Sequence, residues 1–320
     1  MDEVVRLESL VKVYPDGGRV GPITLTVRRS EVYGLVGPNG SGKTTTLRAM
    51  LGLLRPNSGS VNVLGMDPSR EPKKVNSRVG YSPEIPNFPP FFTARKLLEV
   101  TCRLKGMSEQ ETRKEVERVL DLTGLVRHAD RRVASFSKGM VQRLSIGQAL
   151  VGDPELLILD EPMLGVDPVG RVHMREVLSE QKREGKTIVF SSHELYEVEK
   201  ISDRVGMVYM GSTVLEGSVA DLIRSQDGRS VVEVVVKRGL PDDVRDAILR
   251  IDGVKSLEVV DSSVRVELDN AHDSREEIAE LLVRSGCGLI EMRLVPPTLE
   301  DVFVRVVRRG VDSQDSPGAR

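Results

Sequence analysis

Residues 37–44 constrain the chain most, since their sequence, Gly-Pro-Asn-Gly-Ser-Gly-Lys-Thr, fits the GxxxxGK[ST] pattern of a phosphate-binding loop. An apolar run at 31–36 predicts a short buried strand before it, and helical apolar spacing follows it from Thr45 onward. Strand, glycine-rich loop and helix are the context that the motif requires. The segment therefore predicts a nucleoside-triphosphate site rather than a glycine-rich turn with a chance lysine.

The chemistry expected here comes mainly from the backbone. Glycines let successive N–H groups surround anionic oxygens, and the helix N-terminus adds about half a positive charge. We expect Lys43 to reach the β- and γ-phosphates and the Thr44 hydroxyl to bind Mg²⁺. The predicted nucleotide-binding residues of this segment are Gly37, Pro38, Asn39, Gly40, Ser41, Gly42, Lys43, Thr44 and Thr45.

Composition limits the possible partners. The 320 residues suggest about two domains, and a net charge of −2 gives no basic surface for nucleic acid, so no nucleic-acid partner is expected. Cys102 and Cys287 lie far apart, without metal-ligand spacing. Asp2 and Glu3 interrupt any signal peptide, and no window approaches about 18 apolar residues, so another polypeptide would supply a membrane span.

The strand pattern returns in residues 155–162, a hydrophobic run that ends in the carboxylates Asp160 and Glu161. Its apolar run indicates burial in a parallel sheet, whose carboxyl edge would deliver both carboxylates to the phosphate site. We expect Asp160 to hold Mg²⁺ and Glu161 to orient or deprotonate the attacking water. The alternative is an acidic pair that merely ends a strand.

Two further residues have two interpretations each. His193 directly follows the apolar strand 187–191, which places it on the same sheet edge; it is either a γ-phosphate contact or structural. Tyr14 precedes a turn and either stacks on an adenine ring or closes that turn as a core tyrosine. The residues alone leave both questions open.

Residues 136–140, Phe-Ser-Lys-Gly-Met, suggest a second anion site, because Ser137 can cap a helix and Gly139 allows close approach to its first turn. Together these motifs resemble the nucleotide-binding subunit of ATP-binding cassette (ABC) transporters over about residues 4–225. In that resemblance, 37–44 is the Walker A motif, 136–140 is similar to the LSGGQ signature, and Asp160 and Glu161 end Walker B. Residues 165–167 fit the D-loop, His193 the switch histidine, and Tyr14 the adenine-stacking aromatic.

The resemblance implies a mechanism that needs two chains. ATP would be enclosed between Walker A of one cassette and the signature of another, in a head-to-tail dimer of two copies or of related subunits. Ser137 and Gly139 of one copy would contact the γ-phosphate held by Lys43 of the other. Glu161 would act as the base, and a separate membrane permease would be driven from the cytoplasmic face of the membrane.

Two departures from the family pattern stand out. Glu84 occupies the place of the usual glutamine after the strand at Tyr81, so a Mg²⁺ or water contact is kept but the amide donor is lost. Lys138 and Met140 replace residues of LSGGQ. This variant looks like export-type cassettes that serve drug, polysaccharide, lipid or ion efflux.

The expected fold is α/β: a P-loop ABC cassette over 1–225, with a mixed sheet and a helical subdomain at about 93–152. A linker at 225–229 precedes an α+β domain over 230–309, whose strand and helix order, βαββαβ, suggests a ferredoxin-like sandwich. Dimer support, regulation and ligand sensing are the alternatives for its role. Residues 310–320 are predicted to be a disordered tail.

Two rival functions fit the sequence less well. A soluble cassette protein acting on DNA or ribosomes usually carries two cassettes, a long coiled coil or a basic arm, none of which is seen here. A P-loop GTPase or kinase lacks support because no Asn-Lys-x-Asp motif occurs and the 136–140 segment would have no role.

Overall fold

A computed structural model describes residues 2–224, 229–260, 263–269 and 273–314. The chain divides into two compact units, Met1–Ser218 and Val219–Arg320, so the division falls before the predicted boundary at 225. Most of the predicted linker, residues 225–228, lies outside the described residues.

The first unit combines strands of two sheets. The strands in chain order are β1 (Glu3–Val13), β2 (Arg19–Arg28), β3 (Val32–Val36), β4 (Ser58–Val63), β5 (Val79–Ser82), β6 (Leu156–Leu159), β7 (Thr187–Ser192), β8 (Arg204–Tyr209) and β9 (Ser212–Ser218). Strands β2, β1 and β4 form an antiparallel sheet in that order. The larger sheet has the order β5-β6-β7-β3-β8-β9, in which only β9 runs antiparallel to its neighbour.

The helices of this unit are α1 (Lys43–Met50), α2 (Pro72–Ser77), α3 (Ala94–Leu104), α4 (Glu109–Leu122), α5 (Lys138–Leu150), α6 (Pro168–Arg183) and α7 (Leu195–Ile201). Every residue of β3, β6 and β7 is buried, as expected for central strands of a sheet covered on both faces. The carboxyl ends of these three strands therefore meet at one edge, and each leads into one of the predicted motifs.

A helical subdomain built on α3, α4 and α5 is inserted in the chain between β5 and β6, two strands that pair directly in the sheet. Its own apolar core includes the fully buried Leu98, Leu120 and Leu144. The Ser-x-x-Glu spacing of Ser108 and Glu111 predicts a capping box, and the two residues form one at the start of α4. The α/β cassette with a mixed sheet and a helical subdomain is confirmed.

The second unit contains one antiparallel sheet. Its elements are α8 (Val219–Arg224), β10 (Arg229–Val236), α9 (Asp242–Leu249), β11 (Val254–Val260), β12 (Ser263–Asp269), α10 (Arg275–Arg284), β13 (Leu289–Val295) and α11 (Leu299–Gln314). The sheet order is β11-β12-β10-β13. The elements from β10 to β13 follow the predicted βαββαβ order. The ferredoxin-like fold stays a prediction that rests on this order.

Helix α11 extends to Gln314 and so includes residues 310–314 of the predicted tail. A single glycine costs about 1 kcal/mol in a helix and need not end it, which is compatible with Gly310 inside α11. Residues 315–320 lie outside the described residues. None of the helices in the described ranges is both long and apolar enough to cross a membrane.

Candidate active site

The P-loop connects β3 to α1 through backbone conformations that favour glycine. Gly42 has a φ of 107°, and a Cβ there would lie 2.5 Å from Val20 Cγ1. A side chain at Gly37 would meet the backbone oxygen of Val208 at 2.0 Å. These positions explain why the loop needs glycine: the backbone turns tightly against β8 and β2, leaving its N–H groups at the start of α1.

Lys43, the first residue of α1, is buried, with only 6% of its surface exposed. Its ammonium donates to the carbonyl oxygens of Gly37 (2.7 Å) and Pro38 (3.2 Å). The carboxylate of Glu161 lies 3.5 Å from Lys43 Nζ. The one buried cation of the loop therefore lies between the loop backbone and the acidic end of β6.

Asp160 joins the P-loop to β7. Thr44 Oγ1 donates to Asp160 Oδ1 at 3.3 Å, and Ser191 Oγ donates to the same oxygen at 2.6 Å. The predicted Mg²⁺ residues Thr44 and Asp160 are thus in contact, and both offer oxygen, the ligand type that Mg²⁺ prefers. Burial, followed by the negative charge of Asp160, raises the pKa of Tyr81 at the end of β5.

Glu161 is 7% exposed and has a φ of 46°, which is uncommon for a residue with a side chain. Its backbone N–H donates to Ser191 Oγ at 2.8 Å, and its carbonyl accepts from Gln142 Nε2 at 3.4 Å. His193 Nδ1 lies 2.9 Å from Glu161 Oε2. Backbone and side chain are both held, so the carboxylate is directed toward Lys43 and the loop.

Tyr14 lies on the other side of the same loop, where its hydroxyl shares a hydrogen bond of 2.9 Å with Thr45 Oγ1. It is partly exposed, and it lines a cavity of about 420 Å³. The cavity is large enough for a nucleotide by the usual range of small-molecule sites. Its lining comprises Tyr14, Gly18, Arg19, Val20, Asn39, Gly40, Gly42, Lys43, Thr44, Thr45, Glu84 and Glu161.

The predicted residues thus fall into two places. In the described part of the chain, neither Ser137 nor Gly139 lines this cavity. Ser137 is exposed and caps α5 by accepting from the backbone N–H of Met140 at 3.2 Å. A Cβ on Gly139 would lie 3.4 Å from the carbonyl oxygen of Gly165, so this helix start packs beside the segment that leads into α6.

Sequence reasoning missed Ser191 and Gln142, which link Asp160 and Glu161 to the rest of the sheet and to α5. Ser191 is fully buried at the end of an apolar strand, and that placement is the signal that could have found it. Gln142 gives no comparable signal, because its role depends on how α5 packs against β6. Arg19, a cavity residue, was also missed.

Two family models match this chain. Residues 20–164 match the family model described as ABC transporter, and residues 217–307 match the C-terminal domain of ATP-binding proteins like DrrA1-3. The Nod factor export ATP-binding protein I of Burkholderia lata is 34% identical over 305 residues, covering 95% of this chain and 97% of that protein. The linearmycin resistance ATP-binding protein LnrL of Bacillus subtilis is 30% identical over 309 residues, with coverage of 96% and 99%.

Two solved structures are similar to this chain over about two thirds of its length. An ATP-binding subunit of an ABC transporter aligns with a TM-score of 0.64 at 31% identity, over 70% of this chain and 93% of that one. The cassette MJ0796, in a dimeric post-hydrolysis state bound to ADP and Pi, aligns with a TM-score of 0.62 at 25% identity, over 67% and 98%.

Proposed function

We propose that this chain, which belongs to the family of ABC transporter ATP-binding subunits, powers export through a separate membrane permease. Members of this family bind and hydrolyse ATP, and the chain is an ATPase of this kind.

One observation carries the proposal: the P-loop and Glu161 line one cavity, and Asp160 accepts a hydrogen bond from Thr44 beside it, while Ser137 lies exposed elsewhere on the chain. A capped helix start is suited to an anion, yet Ser137 and Gly139 are not at the cavity of their own chain. A head-to-tail pair of copies would bring these residues of one chain to the nucleotide of the other. Closure of this pair on ATP is then the step that does mechanical work.

Within each site, Lys43 would neutralise the β- and γ-phosphates, and Tyr14 would stack on the adenine. Thr44 and Asp160 would hold Mg²⁺, with Glu84 on the cavity wall as a further oxygen ligand, directly or through water. The ion, when bound, would offset negative charge on the phosphate oxygens. Glu161 would accept a proton from the attacking water, and His193 would hold that carboxylate in place and contact the γ-phosphate.

Export is proposed because relatives named for Nod factor export and linearmycin resistance match almost the full chain. The permease would place this protein at the cytoplasmic face of the membrane. The segment between β5 and α3 offers a docking surface, since Ile85 is 76% and Phe91 67% exposed. These apolar side chains lie beside the helical subdomain. Movement of this subdomain when the two chains close on ATP would be transmitted to the permease.

Affinity purification from detergent-solubilised native membranes tests this function. The chain should recover a multi-spanning membrane protein, and Phe91→Asp should lose it while keeping the ATPase activity of the isolated chain. Leu249→Asp, at an exposed apolar position in the second unit, is the matched control. Recovery of ribosomes or DNA, in place of a membrane protein, would favour the alternative of a soluble ATPase acting on nucleic-acid machinery, which the comparisons do not favour.

A further inference from the structure

The edge strand β13 of the second unit has a free side. It pairs with β10, and among the described strands it has no second neighbour. The strand is also exposed: Ile290 by 63% and Leu294 by 52%. An exposed edge strand with unpaired backbone groups is a template for pairing with another strand, and natural proteins usually block such edges.

The side chains of β13 are arranged so that reversing the strand keeps the apolar positions and exchanges only the acid and the base. From residue 289 the sequence is Leu-Ile-Glu-Met-Arg-Leu-Val, with two apolar residues, an acid, a central Met292, a base and two apolar residues. When two such strands pair antiparallel about Met292, Glu291 of each lies opposite Arg293 of the other. Ile290 of each then lies opposite Leu294 of the other.

We propose that β13 pairs with β13 of a second copy of this chain, in the register centred on Met292, to form one continuous eight-stranded sheet. The interface is isologous, as a two-fold axis requires. Its contacts are backbone hydrogen bonds, two opposite-charge pairs and an apolar pair at each end.

Charge selects this register over its neighbours. A two-fold axis perpendicular to the sheet keeps each face on its own side, so the axis must pass through a residue position. An axis at Glu291 would place the two Glu291 carboxylates opposite each other, and an axis at Arg293 would do the same with two guanidinium groups. Like charges directly opposite are destabilising, which leaves Met292 as the centre.

The surrounding charges agree with this choice. Arg293 donates to Glu233 on the neighbouring strand at 2.9 Å through Nε, and Arg265 lies 3.6 Å from the same carboxylate. Two guanidinium groups therefore share Glu233, a carboxylate whose side chain is 12% exposed. Arg293 is itself 62% exposed, so it has donors left for Glu291 of a second copy.

The face of the sheet that α9 and α10 cover contributes the apolar contacts of the proposed interface. Leu294 and Met292 pair with Val232 and Val234, both of which are fully buried on that face. Leu294 therefore extends the core toward the free edge, where nothing in the described chain covers it fully. A second β13 would continue the same apolar layer.

Sedimentation velocity of the full chain without nucleotide tests the proposal, since the ATP-dependent contact is then absent. The wild-type chain should show a monomer–dimer equilibrium. Glu291→Arg and Arg293→Glu should each raise the dimer dissociation constant roughly tenfold or more, because each places two like-charge pairs across the strands. An equal mixture of the two variants should dimerise again, since every cross-strand pair is then opposite in charge.

Matched controls are Glu276→Arg and Arg250→Glu, which make the same charge changes at exposed sites elsewhere in this unit and should leave the equilibrium unchanged. Met292→Cys offers a second measurement: it should form an intermolecular disulfide under mild oxidation without ATP, and Glu258→Cys on the opposite edge strand should not. A wild-type chain that stays monomeric, single variants that associate like the wild type, or a mixture no better than its components would overturn the proposal.

Discussion

The imidazole of His193 contacts the carboxylate of Glu161, with Nδ1 and Oε2 2.9 Å apart, although the two residues follow different strands, β7 and β6. His193 is about one-third exposed while Glu161 is buried, so the histidine is the side of this pair that faces outward. The contact therefore links the proposed base to the segment at the carboxyl end of β7.

Removing this contact should slow turnover. His193→Ala leaves Glu161 without the neighbour that fixes its direction, and we expect kcat to fall by about 10²-fold, at the lower end of the range for a lost acid–base residue. ATP affinity should change little, because the P-loop is untouched. Steady-state ATPase assays and equilibrium nucleotide binding measure both, and an unchanged kcat would contradict the role given to this histidine.

Ser191 should matter for both stability and rate. In Ser191→Ala, the buried Glu161 N–H loses its acceptor and Asp160 loses a donor, at a cost of about 1–3 kcal/mol in unfolding free energy. We also expect a lower kcat, since both carboxylates lose a positioning contact. Urea unfolding and ATPase assays test this, with Ser202→Ala as a control in the same unit, remote from the carboxylates. Equal effects of the two substitutions would argue against a role at the site.

Glu197 on α7 forms ion pairs with two arginines of α6. It is 3% exposed, and its carboxylate lies 2.9 Å from Arg175 and 3.5 Å from Arg171. Glu197→Ala leaves Arg175 without this partner, whereas Arg171 keeps its ion pair with Glu194, so the chain should be destabilised by about 1–3 kcal/mol. Chemical denaturation measures the loss. A change below that of Glu176→Ala, an exposed site on α6, would contradict the prediction.

Cys102 should react slowly in the folded chain. Burial, followed by the negative charge of Glu115, raises the pKa of its thiol from 9.0 to about 11, so the neutral, unreactive form prevails at pH 8. Since the folded state holds this proton more tightly, its contribution to stability is complete below about pH 9 and is lost as pH rises toward 11.

Iodoacetamide labelling of Cys287→Ser, in which Cys102 is the remaining thiol, checks this. We expect little modification at pH 8 until denaturant is added, and a shallower loss of stability between pH 9 and 11 in Cys102→Ala than in its parent. Rapid labelling of the native chain at pH 8 would contradict the burial on which the pKa rests.

Much of the fold could be predicted because its signals are local. The P-loop, the capping box at Ser108 and the apolar strand before Asp160 each depend on residues close in sequence. The sheet order could not be predicted in this way, since strand pairing such as β3 with β7 joins distant segments. For the same reason Gln142 was missed: its contact with Glu161 crosses from the helical subdomain to β6.

Two chains are proposed to share each ATP, and gel filtration of the Glu161→Gln chain is the decisive experiment. Glu291→Arg is added so that β13 pairing does not contribute, and Lys43→Ala in the same background serves as the control that should not bind the phosphates. On gel filtration with saturating ATP and Mg²⁺, we predict a dimer that reverts to monomer when ATP is removed. A chain that remains monomeric with ATP bound would contradict the account.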